Sequence, residues 1–177
     1  MPLAELYQRV IAPAMHELGL LWEKGAITVA DEHLATGITH RVLAALRPPA
    51  LVEQVFETCS TRPRALLATV EGEQHALGLR MAADLIEDAG YQVAYLGADV
   101  PTDALVAAIK ALSPDLVCLS ATMPDLASRL EQVAETVSTQ HPALPLLVGG
   151  EASRSPRVGE GISVEDLELL DQRLRLS

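Results

Sequence analysis

From residue 65 onward the chain alternates short apolar runs with amphipathic stretches, and this alternation constrains the fold more than any other feature. The runs Ala65 to Val70, Val93 to Leu96, Leu116 to Leu119 and Leu144 to Val148 are too short for helices and are expected to be buried parallel strands. Helices are expected between them. The first covers about Ala76 to Ala89 and stops at Gly90, the second runs from Thr102 to Ser113-Pro114, and the third starts at Pro124. A β-α-β-α-β-α-β order implies a parallel sheet covered on both faces through right-handed crossovers.

The length of this region suits an α/β fold of flavodoxin-like type, a doubly wound parallel sheet in the order 2-1-3-4-5. A short fifth strand is expected, because residues 151 to 161 hold two Gly and a Pro where regular structure would lie. A last helix is expected from Ser163, with Asp166 as its capping partner. The first sixty residues have a different texture. Leu3, Leu6, Val10, Ala14 and Leu18 recur at helical spacing and predict one buried face, with Pro13 kinking or restarting the helix. Thr28 and Asp31 form a capping pair for a second helix that runs to about Leu46, before Arg47-Pro48-Pro49. The expected division is therefore a partial helical cap with a linker over residues 1–60, followed by the sheet domain over 61–177.

Composition narrows the function. Apolar residues make up 49% of the 177 and aromatics only 3%, so the core must be aliphatic and the single Trp is conspicuous. Thirteen Lys and Arg against 24 Asp and Glu give a net charge of −11, which argues against direct contact with nucleic acid. Cys59 and Cys118 fit no metal or redox spacing and suit a reducing compartment, and the chain shows neither a membrane-spanning run nor a signal-peptide layout. A cytoplasmic protein without membrane contact is expected.

Ligands of open α/β sheets bind beyond the carboxyl ends of the strands, where strand order reverses, here between the first and third strands. Strand one runs into Glu71-Gly72-Glu73-Gln74-His75, strand three ends at Ser120-Ala121-Thr122, and strand four ends at Gly149-Gly150. A carboxylate at Glu73 can fix the tautomer of His75, the arrangement that supports metal-binding histidines. The blander role for His75 is a helix cap or a bond to a backbone carbonyl. Gly78, Gly149 and Gly150 would leave a slot for a flat group, and Ser120 could hydrogen-bond it. Neither a G-x-G-x-x-G after strand one nor a Gly-rich Lys-Ser/Thr loop is present, which disfavours nicotinamide and nucleoside-triphosphate sites.

Taken together, Glu73-x-His75-x-x-Gly78, 41 residues, Ser120-x-Thr122, 26 residues and Gly149-Gly150 resemble the pattern of the cobalamin-binding domain family. The resemblance implies that His75 is the lower ligand of cobalt, with the displaced nucleotide tail in a slot lined by Gly78, Ser120, Gly149 and Gly150. Glu73, Gln74 and Thr122 join the implied contacts. Glu73 stands where the family has Asp, and Thr122 where it has Leu. Further upstream, Trp22, Val29 seven residues on, and Glu32-His33 at ten and eleven resemble the cap of light-sensing cobalamin regulators of the CarH type. That resemblance implies that these four residues cover the upper face of adenosylcobalamin, where light cleaves the cobalt–carbon bond and changes the oligomer. The cap is shorter than in that family, no helix-turn-helix is expected in this acidic chain, and Glu23 follows the Trp where a second cobalt-binding His often stands.

The expected function is a binding and sensing module rather than an enzyme. Adenosylcobalamin is the favoured cofactor, with methylcobalamin second. Self-association and a regulator or DNA-binding protein are the expected partners. The alternative is a corrinoid methyl carrier, which Leu96-Gly97-Ala98-Asp99-Val100-Pro101 also resembles; storage or delivery of cobalamin is a third reading, and a mutase subunit is disfavoured by the Trp-bearing cap.

Overall fold

The computed structural model describes residues 1–46 and 62–154, and the chain divides into two compact units, Met1–Thr58 and Cys59–Ser177. Cys59, the linker after Leu46 and the helix expected from Ser163 lie outside the described residues.

In the first unit, α1 (Leu3–Leu6) passes through a π turn at Tyr7–Ile11 into α2 (Ala12–Glu23). Pro13 explains the turn. It has no N–H to continue the α-helical ladder, so the chain restarts there as the sequence suggests. The π turn has a consequence that the apolar spacing hid. One extra residue in a turn rotates the remainder of the helix by about 100°, so Val10 and Ala14 leave the face of Leu3 and Leu6 and are exposed, contrary to expectation. Among the described residues of this unit, those buried are Ala4, Tyr7 and, from α3 (Val29–Leu46), Leu43. The capping pair forms as expected. Asp31 N–H donates to Thr28 Oγ1 at 3.2 Å, and Asp31 Oδ2 accepts from Thr28 N–H at 2.9 Å and Thr28 Oγ1 at 2.6 Å.

The second unit is a parallel sheet of four strands in the order β2-β1-β3-β4, with β1 Arg64–Val70, β2 Gln92–Val100, β3 Leu116–Ser120 and β4 Leu146–Gly149. The connecting helices are α4 (Leu77–Asp88), α5 (Thr102–Leu112) and α6 (Ala127–Gln140), the last preceded by a 3-10 turn at Pro124–Leu126. This is the doubly wound, flavodoxin-like architecture read from the alternation, and four of its strands lie among the described residues. Burial on both faces explains why β1 is apolar throughout: Leu66, Ala68 and Val70 pack with Leu105 and Ile109 of α5 and Leu130, Val133 and Val137 of α6. Residues Ala65 and Leu67 turn to the opposite face, and α4, which packs on β1 and β2, buries Leu79, Met81, Leu85 and Ile86. Each large side chain so buried contributes about 1.5–3 kcal/mol.

Register brings the strand ends level. Thr69 lies opposite Ser120, which lies opposite Gly149, so three carboxyl ends meet in one row beside the β1/β3 switch point.

Candidate functional site

Strand β1 ends in a turn in which Glu73 N–H donates to Val70 O at 3.0 Å, with Gly72 at a φ of +91° that side chains rarely adopt. The turn sends the Glu73 side chain inward, where it is 0% exposed. Both of its oxygens are used. Oε1 accepts the His75 backbone N–H at 2.7 Å and faces His75 Nδ1 at 2.6 Å; Oε2 accepts Thr122 N–H at 2.6 Å and Met123 N–H at 3.0 Å. Burial works against the charged carboxylate, but the backbone donors of Met123, His75 and Thr122, with the His75 ring, outweigh it and hold Glu73 below the usual carboxylate range.

A carboxylate in this state only accepts, so the Nδ1 that faces it carries a proton, and in the neutral ring the lone pair lies on Nε2. The His75 side chain is 60% exposed. Its ring is thus fixed at one nitrogen while the imidazole remains open to the outside. Among the described residues no three His, Cys, Asp or Glu side chains converge to hold an ion. A metal bound at His75 must therefore bring its other ligands, which is the donor set that a corrin-caged cobalt fits.

Around this histidine the structure gathers the other sheet-domain residues singled out in the sequence. Gln74 is exposed on the loop, Gly78 is half-buried as the second residue of α4, and Ser120 is buried at the end of β3. Thr122 contributes its backbone to Glu73. Gly149 O accepts from Ala121 N–H at 3.1 Å. Gly150 plays another part than the bare slot expected of it: at φ +87°, a Cβ there would stand 2.1 Å from Ala121 O. The space its missing side chain leaves is filled by the backbone after β3, which also accepts from Ala152 N–H at 3.1 Å.

In the helical unit, Trp22 lies on the last turn of α2, and Val29, Glu32 and His33 lie at the start of α3, so all four sit at the end of the hairpin that bears the connecting turn. Trp22 is 48% exposed, and Val29 and His33 are also exposed. Glu32 is held by Thr36 Oγ1 at 2.8 Å and faces His33 Nδ1 at 2.5 Å.

Sequence reasoning missed the supports that β1 and β2 give to the His75 loop. Thr69 Oγ1 donates to Glu73 O at 2.8 Å, Asp99 Oδ1 accepts Gly72 N–H at 2.7 Å, and Tyr95 Oη donates to Ala76 O at 3.2 Å. The only hint was the hexapeptide from Leu96 to Pro101, which stands out as a family likeness and not as a loop support.

Two family models described as B12 binding domain match the chain, one over residues 63–158 and one over residues 1–47. The chain belongs to the B12-binding domain family. Among curated proteins, this B12-binding chain is 33% identical over 156 residues to the HTH-type transcriptional repressor CarH of Myxococcus xanthus, covering 88% of this chain and 50% of that protein. It is 28% identical over 126 residues to dimethylamine corrinoid protein 1 of Methanosarcina acetivorans, covering 68% of this chain and 55% of that protein. The chain thus spans about half the length of these relatives. Its fold is that of the Methanosarcina barkeri monomethylamine corrinoid protein, with a TM-score of 0.77 at 17% identity over 99% of this chain and 84% of that one. The resemblance drawn from the motifs therefore holds for the family and for its CarH-type members. No helix among the described residues is long and apolar enough to cross a membrane.

Proposed function

We propose that this B12-binding chain is a sensor module that holds adenosylcobalamin, with its own base displaced, on His75 as lower ligand. The observation that carries the reading is the buried, ionised Glu73, which fixes the His75 ring through Nδ1 at the joined ends of β1, β3 and β4. When bound, the cofactor supplies a light-sensitive cobalt–carbon bond. The chain's own part is to orient the imidazole, to seat the nucleotide tail beside Gly78, Ser120 and Gly149, and to present Trp22, Val29, Glu32 and His33 toward the upper ligand. The signal would leave through self-association or a bound regulator, in cytoplasmic surroundings. Similarity to the repressor CarH supports the sensor reading; methylcobalamin is the second form of cofactor in this proposal.

A corrinoid methyl carrier is the second reading, and the likeness to dimethylamine corrinoid protein 1 favours it. One experiment separates the two. Protein mixed with adenosylcobalamin in the dark, desalted, and then measured by absorption and size exclusion before and after green light should retain the corrinoid and change both spectrum and elution volume. His75→Ala should weaken retention at least about tenfold and lose the spectral mark of an imidazole ligand. Retention and spectrum unchanged in His75→Ala would falsify the ligand assignment. Photolysis with no change in elution volume, together with methyl transfer from a donor methyltransferase, would establish the carrier.

A further inference from the structure

The stretch from Leu96 to Pro101 contributes no side chain to the proposed ligand set, yet the backbone leading into it carries the only register shifts among the described strand pairs. Pairing of β1 with β2 slips twice, between Leu67 and Ala68 and again between Ala68 and Val70, whereas β1 with β3 and β3 with β4 run without interruption. Gly97 takes a φ of +85°, as a glycine can. Asp99 takes a φ of +55°, in the left-handed region that is unfavourable for an L residue and that Asp tolerates better than most. Bulges of this kind re-aim a strand end, and a strained residue persists only where its surroundings hold it.

What holds Asp99 is the loop that carries the histidine. Asp99 N–H is shared between Thr69 Oγ1 and Glu73 O, both at 2.9 Å. The Thr69 hydroxyl in turn donates to the same Glu73 carbonyl, and Gly72 N–H donates to Asp99 Oδ1 at 2.7 Å. Asp99 therefore grips the His75 loop twice, once through its backbone at Glu73 and once through its side chain at Gly72. Beyond the histidine, Tyr95 Oη holds Ala76 O. Glu73 can place its carboxylate on His75 and on the Thr122 and Met123 amides only if its own backbone stays where these bonds put it.

We infer that Asp99 is a positioning residue: its carboxylate and left-handed backbone set Glu73, and through Glu73 the ring of His75, before a cofactor arrives. The functional half of this inference rests on His75 being the lower ligand, and the orienting half stands on the protein alone.

The test is made on the full chain with Asp99→Ala, Asp99→Asn and Asp99→Gly. In the cofactor-free protein, long-range 15N–1H correlation of the His75 ring should show one tautomer, with the proton on Nδ1. In Asp99→Ala the other tautomer should appear. After addition of hydroxocobalamin, the ratio of His75-ligated to unligated corrinoid, read by absorption, should fall about three- to tenfold, the loss expected for one hydrogen bond of ordinary strength. Asp99→Asn should restore both signals, because its amide oxygen still accepts Gly72 N–H and Asn tolerates the same backbone. Asp99→Gly relieves the backbone while removing the acceptor, so it should behave like Asp99→Ala and decides the matter even if Asp99→Ala does not fold. A wild-type tautomer and ligation ratio in Asp99→Gly overturn the inference, as does an equal loss in Asp99→Asn. If wild-type protein retains no corrinoid, the cobalamin reading fails, and the tautomer spectra still decide the positioning role.

Discussion

The sheet unit and the helical unit bury their apolar residues in opposite ways. In the former, every residue of β3 and all but the first of β1 are buried, and the loop that bears His75 is tied to β2 and to the backbone after β3. In the latter, Ala4, Tyr7 and Leu43 are buried while Trp22, Val29, Leu34, Ile38, Val42 and Leu46 are largely exposed. The sheet unit packs most of its large apolar residues internally, Leu96 and Met123 being exposed exceptions. The other displays side chains whose reason for being apolar lies outside the hairpin, which fits residues selected to meet a cofactor or another chain.

That contrast is open to three tests of decreasing size. Leu66→Ala, in the middle of β1, should cost about 2–5 kcal/mol of unfolding free energy in urea, whereas Val42→Ala on α3 should cost under about 0.5 kcal/mol. Equal losses would mean that the helical unit has a core of its own. Acid should act next, through Glu73. Its carboxyl is held below the ordinary value of 4.5 in the folded state, so its contribution to stability is complete above that pH and is lost as pH falls through the lower folded value. A melting curve followed from about pH 6 to about pH 3 should drop over the acid part of that range, and Glu73→Gln should flatten the drop. The smallest effect on stability is expected at Trp22. Trp22→Ala should leave the melting temperature of the cofactor-free protein within about 1–2 °C of wild type. It should, however, reduce discrimination between adenosyl- and methylcobalamin, measured by competition; unchanged discrimination would remove Trp22 from the upper face.

Most of the fold was legible because its signals are local. Gly90 ends α4 at a φ of +97°, Thr28 and Asp31 cap α3, and the aliphatic runs mark all four strands. The parts that escaped depend on contacts between distant segments or on backbone geometry that no residue type announces. Strand β2 extends to Val100, past the Leu96 expected from its apolar run, because bulges at Gly97 and Asp99 let it keep pairing with β1. Val10 and Ala14 have the spacing of core residues, and a π turn rotates them outward. At the site, the pairing of Glu73 with His75 could be read from two residues of spacing, but the amides that anchor Glu73 lie 49 and 50 residues downstream. Gly150 is legible as a special residue for a different reason than its spacing suggests, since the carbonyl it makes room for belongs to another strand's end.

The 49-residue gap between Glu73 and Thr122 also bears on how the protein is made. A chain emerging during synthesis exposes His75 before β3 exists, and the loop from Glu73 to Thr122 closes only when β3 pairs with β1. Until then Glu73 lacks the Thr122 and Met123 amides that fix its position, and the imidazole is an unoriented side chain on an unfinished polymer. The fixed orientation of the His75 ring is therefore a property of the assembled sheet and not of the loop that carries it.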